Sequence, residues 1–162
     1  MTRSPVVVIG IGNPYRRDDG VGPAVVRRLA EYGITAAALV ECDGEAATLI
    51  EQWRDRRLAI VVDAVHVAVP VPGRIHRLDW PPQSGSPSAS SHGLDLGLAV
   101  RLAHELGRLP QRMLVFAVEA AETGYGIGLT PAVACSVDEV VAELRIAIAA
   151  GPEASRKGAE RP

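Results

Sequence analysis

Three aspartate positions and one histidine carry the chemistry that can be read in this chain. Asp18 or Asp19, Asp43 and Asp63 each follow a short apolar run, and His92 follows a Ser/Pro-rich stretch. Carboxylates together with a neutral imidazole suit zinc, nickel, cobalt or iron, and three protein ligands leave positions open for water or substrate. A carboxylate held beside such a centre can also move protons. Any one of these aspartates reads more readily as a turn or cap residue, because aspartate is common at strand-to-helix junctions. Three of them at one edge of a sheet shift the balance toward a site.

The local settings sharpen that reading. Asp63 ends the apolar run Leu58 to Val62, where an ionised group is costly unless a cation, a metal or backbone donors meet it. Asp18 and Asp19 precede Gly20 and a helical segment, so one can occupy the positive end of a helix dipole while the other faces the rim. His92 opens a helix, where the dipole disfavours the imidazolium and keeps the ring ligand-competent. His76, in a weak strand, and His104, within an amphipathic segment, lack such a setting and are set aside. His66 lies three residues after Asp63 and receives no role.

Other chemistries are disfavoured. No HExxH helix is present for a thermolysin-like protease, and no GxSxG elbow supplies a serine nucleophile. Ser84 to Ser91 read as loop residues. Gly10-Ile11-Gly12-Asn13 begins like a dinucleotide fingerprint, but Tyr15 stands where its third glycine belongs; a tight strand-to-loop turn explains the glycines at least as well. Formal net charge is −2 with both signs interspersed, so no basic stripe exists for a phosphate backbone and nucleic acid is not an expected partner. Cys42 and Cys135 stand far apart, which gives neither a disulfide framework nor a thiolate zinc site and fits a reducing cytoplasm. No leader-like segment and no run of about 18 apolar residues occurs, so neither a signal peptide nor membrane insertion is expected.

The elements that must position these residues alternate along the chain. Val6 to Gly10 is a β-branched run suited to a strand buried on both faces. A Gly/Asn/Pro loop follows, then helical periodicity from Gly20 to Glu31. Ala36 to Cys42 reads as a second strand, Glu45 to Arg54 as a helix, and Leu58 to Val62 as a third strand ending at Asp63. Arg74 to Leu78 is a weaker strand at an edge or in a hairpin. Trp80 to Ser91 is a Pro/Ser loop, expected to be a functional lid or simply mobile. Ser91 can cap a helix beginning near His92 and stopped by Gly107. Arg112 to Val118 is the last strong strand, and Thr130-Pro131 places a capping hydroxyl ahead of a helix running toward Ala150.

This order predicts an α/β three-layer sandwich: a mainly parallel, twisted sheet of about five strands with helices on both faces. Ligands of such sheets bind beyond the carboxyl ends of the strands, where the aspartates fall. With 162 residues, 48% hydrophobic and 22% charged, the chain fits one soluble domain over residues 1–150, followed by a flexible polar tail over 151–162.

The run Gly10-Ile11-Gly12-Asn13-Pro14-Tyr15-Arg16-Arg17-Asp18-Asp19-Gly20-Val21-Gly22 strongly resembles the opening motif of the hydrogenase maturation proteases. Asp43-Gly44, Val61-Val62-Asp63-Ala64-Val65, Ser91-His92-Gly93 and Gly128-Leu129-Thr130-Pro131 follow in matching order. The resemblance implies an endopeptidase that removes the C-terminal extension of a nickel-loaded [NiFe]-hydrogenase large-subunit precursor. It implies that Asp19, Asp63 and His92 contact the metal, that the nickel comes with the precursor, and that zinc or cadmium found with the purified protein would be a surrogate. Asp43 is the candidate for assisting proton transfer, in a hydrolase either metal-dependent or aspartate-assisted. A noncatalytic nickel-binding checkpoint for the same precursor would use the same ligands. The chain departs from the family pattern at Asp19, where glutamate is frequent; at Glu45, where a second glycine is frequent after Asp43-Gly44; and at His66, where an acid is frequent.

Overall fold

Apolar, β-branched runs build the sheet. The computed structural model describes residues 2–80 and 96–154. Its strands are β1 (Val6–Ile11), β2 (Ala38–Cys42), β3 (Leu58–Val65), β4 (Ile75–Trp80) and β5 (Arg112–Glu119). Its helices are α1 (Val21–Glu31), α2 (Ala46–Trp53), α3 (Leu96–Glu105) and α4 (Pro131–Ala150), with a 3-10 turn over Arg17–Gly20. The sheet order is β2-β1-β3-β5-β4. β1 pairs in parallel with β2 and β3, β3 pairs in parallel with β5, and β4 runs antiparallel to β5 at the edge. β1 and β3 are buried along their whole length, as strands covered on both faces must be.

Two apolar layers close on the sheet. One face carries Val8, Ile60, Val62 and Phe116 against Val25 and Leu29 of α1 and Val140 and Leu144 of α4. The other carries Val7, Ile9, Val61 and Val115 against Leu49 and Trp53 of α2 and Leu96 and Ala99 of α3. The expected three-layer α/β sandwich with a mainly parallel sheet is what forms. Among the described residues no helix is long and apolar enough to cross a membrane.

Several boundaries differ from the sequence reading. β3 continues past Asp63 to Val65 because β5 runs alongside it to Glu119; Asp63 therefore sits within the strand, paired with Ala117. The weak strand is real and extends to Trp80, held antiparallel at the sheet edge. His92, Ser91 and the Pro/Ser segment after Trp80 lie outside the described residues, as does the end of the tail. The described part of α3 begins at Leu96.

The strand register fixes which side chains share a level. Gly10 pairs with Val62, so the next residues, Ile11 and Asp63, stand side by side. Ile11 also pairs with Cys42, Asp63 with Ala117, and Ala117 with His76. One row therefore crosses the whole sheet near its carboxyl rim: Cys42, Ile11, Asp63, Ala117, His76. Burial identifies its face, since Ile11 and Cys42 pack with the α2/α3 layer. The last residues of α3 and the turn after it, Ala103, His104 and Gly107, flank Trp80 and Pro110 at the opposite edge, so the first turn of α3 is directed toward this rim.

Candidate functional site

Glycines bring the first acidic segment onto the rim. A Cβ on Gly10 would lie 2.3 Å from the Gly22 carbonyl oxygen, and one on Gly22 would lie 2.4 Å from that of Ile11 and 2.6 Å from that of Val62. Only backbone without side chains allows α1 to start this close to β1 and β3. Gly12 has φ +141°, and a Cβ there would meet the Asp19 carbonyl oxygen at 1.8 Å. The Gly-x-Gly pattern is thus a packing device that seats the Arg17–Gly20 turn over the strand ends.

The two adjacent aspartates of that turn have different partners. Asp18 is fully buried. Its Oδ2 accepts from the N–H groups of Ala121 (2.9 Å) and Glu122 (3.0 Å), and its Oδ1 accepts from that of Thr130 (2.7 Å). The Thr130 hydroxyl donates to both oxygens. Burial alone would push this carboxyl up, but the donors from Thr130, Ala121 and Glu122 outweigh it and hold Asp18 below the usual carboxylate range. Asp18 therefore ties the loop after β1 to the loop after β5. Neither aspartate caps α1, whose N-cap is Gly20 without a side-chain bond. Thr130, expected to cap α4 with its hydroxyl, makes no side-chain cap bond; its hydroxyl is turned instead toward Asp18, to which it donates.

Asp19 is half-buried and faces the rim. Its Oδ2 accepts from the Asn13 N–H at 2.8 Å, while Oδ1 receives no hydrogen bond from the described residues. Further contacts steady this loop: Arg17 N–H donates to the Gly126 carbonyl and Gly126 N–H to that of Tyr15.

Asp43 is exposed just past β2, and its carboxylate accepts from the Glu45 N–H at 3.1 Å. Glu45 is not a loose charge at the rim. Its carboxylate caps α2, accepting from the Thr48 hydroxyl and from the N–H groups of Thr48 and Ala47, and these bonds lower its pKa. Asp63 is 5% exposed. Both Asp43 and Asp63 bear on Cys42: burial foremost pushes that thiol up, and the two negative charges add to the shift. Cys42 and Asp63 stand in one row on either side of Ile11, with Asp43 directly after Cys42.

Sequence reasoning passed over a pair next to this row. Glu119, the last residue of β5, is buried, and its Oε1 lies 2.7 Å from His76 Nε2. Its Oε2 accepts from the Val71 N–H at 2.6 Å, and Arg74 lies 3.8 Å away. The hydrogen bonds from His76 and Val71 hold Glu119 below the usual range. A signal was present, because Glu119 ends the apolar run Met113 to Val118 as Asp63 ends Leu58 to Val62. His66 and His104 are exposed. Of the expected ligand trio, Asp19 and Asp63 lie at one rim and His92 falls outside the described residues. Among the described residues no three His, Cys, Asp or Glu side chains are grouped to hold a metal ion.

Known proteins resemble this chain. A family model described as hydrogenase maturation protease matches residues 23–146, a span containing Asp43, Asp63 and His92 and beginning just after the Asp19 turn. The chain is 31% identical over 144 residues to the hydrogenase expression/formation protein HupD of Rhodobacter capsulatus, covering 85% of this chain and 68% of that protein. It is 28% identical over 132 residues to HupD of Thiocapsa roseopersicina, of which it spans only 59% while 78% of this chain is covered. The hydrogenase maturating endopeptidase HybD from E. coli superposes with a TM-score of 0.67 at 21% identity, covering 88% of this chain and 90% of that one; this likeness speaks for the fold.

Proposed function

This chain belongs to the hydrogenase maturation protease family, and from that premise we propose that it is the endopeptidase that removes the C-terminal extension of a nickel-loaded [NiFe]-hydrogenase large-subunit precursor. The observation that carries the reading is the convergence of Asp19 and Asp63 at one carboxyl rim, reached through glycine contacts too close for any side chain. The first turn of α3 points toward the same rim, and His92 stands four residues before Leu96. In this reading Asp19, Asp63 and His92 recognise nickel that arrives with the precursor. Asp19 suits that task, since the Asn13 N–H fixes one carboxylate oxygen and no hydrogen bond from the described residues reaches the other. Zinc or cadmium bound by the same donors would be a surrogate.

Docking on the substrate's own metal would set the scissile peptide beside the rim, converting cleavage into a positioned, effectively intramolecular event. Water then attacks the carbonyl carbon, and Asp43, exposed and held by one backbone N–H, is the candidate for assisting proton transfer. A protein substrate also agrees with the rim's surface. Tyr15, Val69, Tyr125 and Ile127 are all largely exposed on its loops, which offers apolar side chains to a partner's surface. We place the activity in the cytoplasm, in keeping with cysteines that are both free.

Mixing the protein with nickel-loaded large-subunit precursor and following the released C-terminal peptide by mass spectrometry tests this. Release of one peptide supports the endopeptidase. Binding without release would replace it with a noncatalytic nickel checkpoint.

A further inference from the structure

His76 and Glu119 are left without a part in the reaction above, yet the register sets them beside it. Asp63, Ala117 and His76 lie in one row on one face of three adjacent strands. The Asp63 and His76 backbones are two strand spacings apart, about 10 Å, and the residue between them is an alanine. Ala117 is itself buried, so the half-exposed imidazole of His76 stands on the edge-strand side of the Asp63 carboxylate. Asp43, at the end of β2, lies two strands from β3 on the opposite side, so His76 and Asp43 flank Asp63.

The His76 ring is held in a defined state. Its only hydrogen-bond partner among the described residues is the Glu119 carboxylate, whose side chain is 3% exposed against 44% for His76. An ionised carboxylate only accepts, so Nε2 must carry the hydrogen and donate. In the neutral ring Nδ1 then holds the lone pair, and the exposed half of the ring can present it to a substrate. A buried carboxylate that fixes the tautomer of a histidine in this way is the orienting element of many hydrolytic sites.

We propose that His76 is a second proton-transfer residue of this site, oriented by Glu119 and acting on a peptide that runs along the rim past Asp63. The inference rests on the proteolytic reading. His76 Nδ1 takes a proton from water as the water oxygen bonds to the scissile carbonyl carbon. It returns that proton to the amide nitrogen as the C–N bond breaks, leaving a new carboxyl and a new amine terminus. Glu119 is a positioning residue, since it acts only through the ring of His76.

A structural role competes with this one, because Glu119 also accepts from the Val71 N–H and so staples the loop after β3. The substitution H76Q separates the two. A glutamine amide can still donate to Glu119 and preserve the staple, but it has no nitrogen that accepts a proton near neutral pH. Single-turnover cleavage of nickel-loaded precursor should fall about 100-fold or more in both H76Q and H76A, the low end of general acid–base contributions. Precursor binding and unfolding temperature should be unchanged in H76Q, and added imidazole should restore part of the rate in H76A. E119Q should lose rate by a smaller factor. Parent-like cleavage by H76Q would overturn the proposal, as would a loss wholly explained by weaker binding. A parent protein that binds precursor without cutting it would instead overturn the proteolytic reading, and the role of His76 with it.

Discussion

Asp18 and Asp19 are neighbours with the same side chain, and replacing each by asparagine should give opposite results. In Asp18→Asn either setting of the amide turns its NH2 group toward a backbone donor. One faces the Thr130 N–H, and the other faces those of Ala121 and Glu122. At least one buried N–H then loses its acceptor, which costs about 1–3 kcal/mol, and the charge-assisted strength of the remaining bonds goes too. The expected loss is about 3 kcal/mol, or about 6–12 °C in a domain of this size. Asp19→Asn disturbs one hydrogen bond of a half-buried group, so its cost should stay near about 1 kcal/mol while processing is lost. Urea and thermal unfolding by circular dichroism read the first quantity; precursor cleavage reads the second. The acid limb supplies a further check. Asp18 has its folded pKa depressed below the ordinary 3.8, so its contribution is full above that value and is lost as pH falls through the depressed one. The gap in stability between parent and Asp18→Asn should therefore narrow on acidification below 3.8. Equal unfolding midpoints for parent and Asp18→Asn at neutral pH would refute the division of labour drawn here.

Asp63→Asn and His92→Ala should each abolish release of the C-terminal peptide with the unfolding midpoint little changed; cleavage at the parent rate by either would remove that residue from the site. Gly12→Ala forces a Cβ to 1.8 Å from the Asp19 carbonyl and should cost at least about 3 kcal/mol in urea unfolding. Gly33→Ala, at φ +67° with nothing nearby, should cost only about 1 kcal/mol. The folded pKa values of Asp18 and Glu119 both lie below the ordinary 3.8 and 4.5, so their stabilisation is present above those values and lost below them. Protection of the Val71, Ala121, Glu122 and Thr130 amides from hydrogen exchange, measured against the intrinsic rate at each pH, should accordingly fall on acidification before that of the core strands.

The fold was legible because its signals are local. Unbroken valine and isoleucine runs fit strands covered on both faces, and their alternation with periodic helices allows little but a parallel sheet. Asp19, Asp43 and Asp63 stood out because each follows such a run, and the strands end at one edge. What escaped the sequence was pairing over long separations. Nothing near Asp18 in the chain says that it will accept from Thr130, a residue 112 positions later, and a dipeptide of two aspartates looks like a cap. Thr130 was misread for the same reason, its hydroxyl being drawn away from α4. His76 was set aside because its strand is weak and alternating, as an edge strand should be. Its importance emerges only with the β4–β5 register, which brings it to Glu119 and into line with Asp63.

Two buried carboxylates, Asp18 and Glu119, do for the rim what an apolar core cannot do for loops. Loops about a site must keep backbone N–H groups that no sheet or helix satisfies, and burying them unpaired would cost more than the site could tolerate. An ionised carboxylate accepts several such bonds at once, so one side chain can fix a loop from which apolar residues project toward a partner. Asp18 does this for the loop after β5, and Glu119 for the loop after β3. The charges that hold the rim sit out of solvent, whereas Asp19 is half-buried, and among the described residues only one of its oxygens accepts a hydrogen bond. In the proposed reading, a metal that arrives with the substrate would meet at Asp19 a carboxylate that one backbone N–H already holds in place.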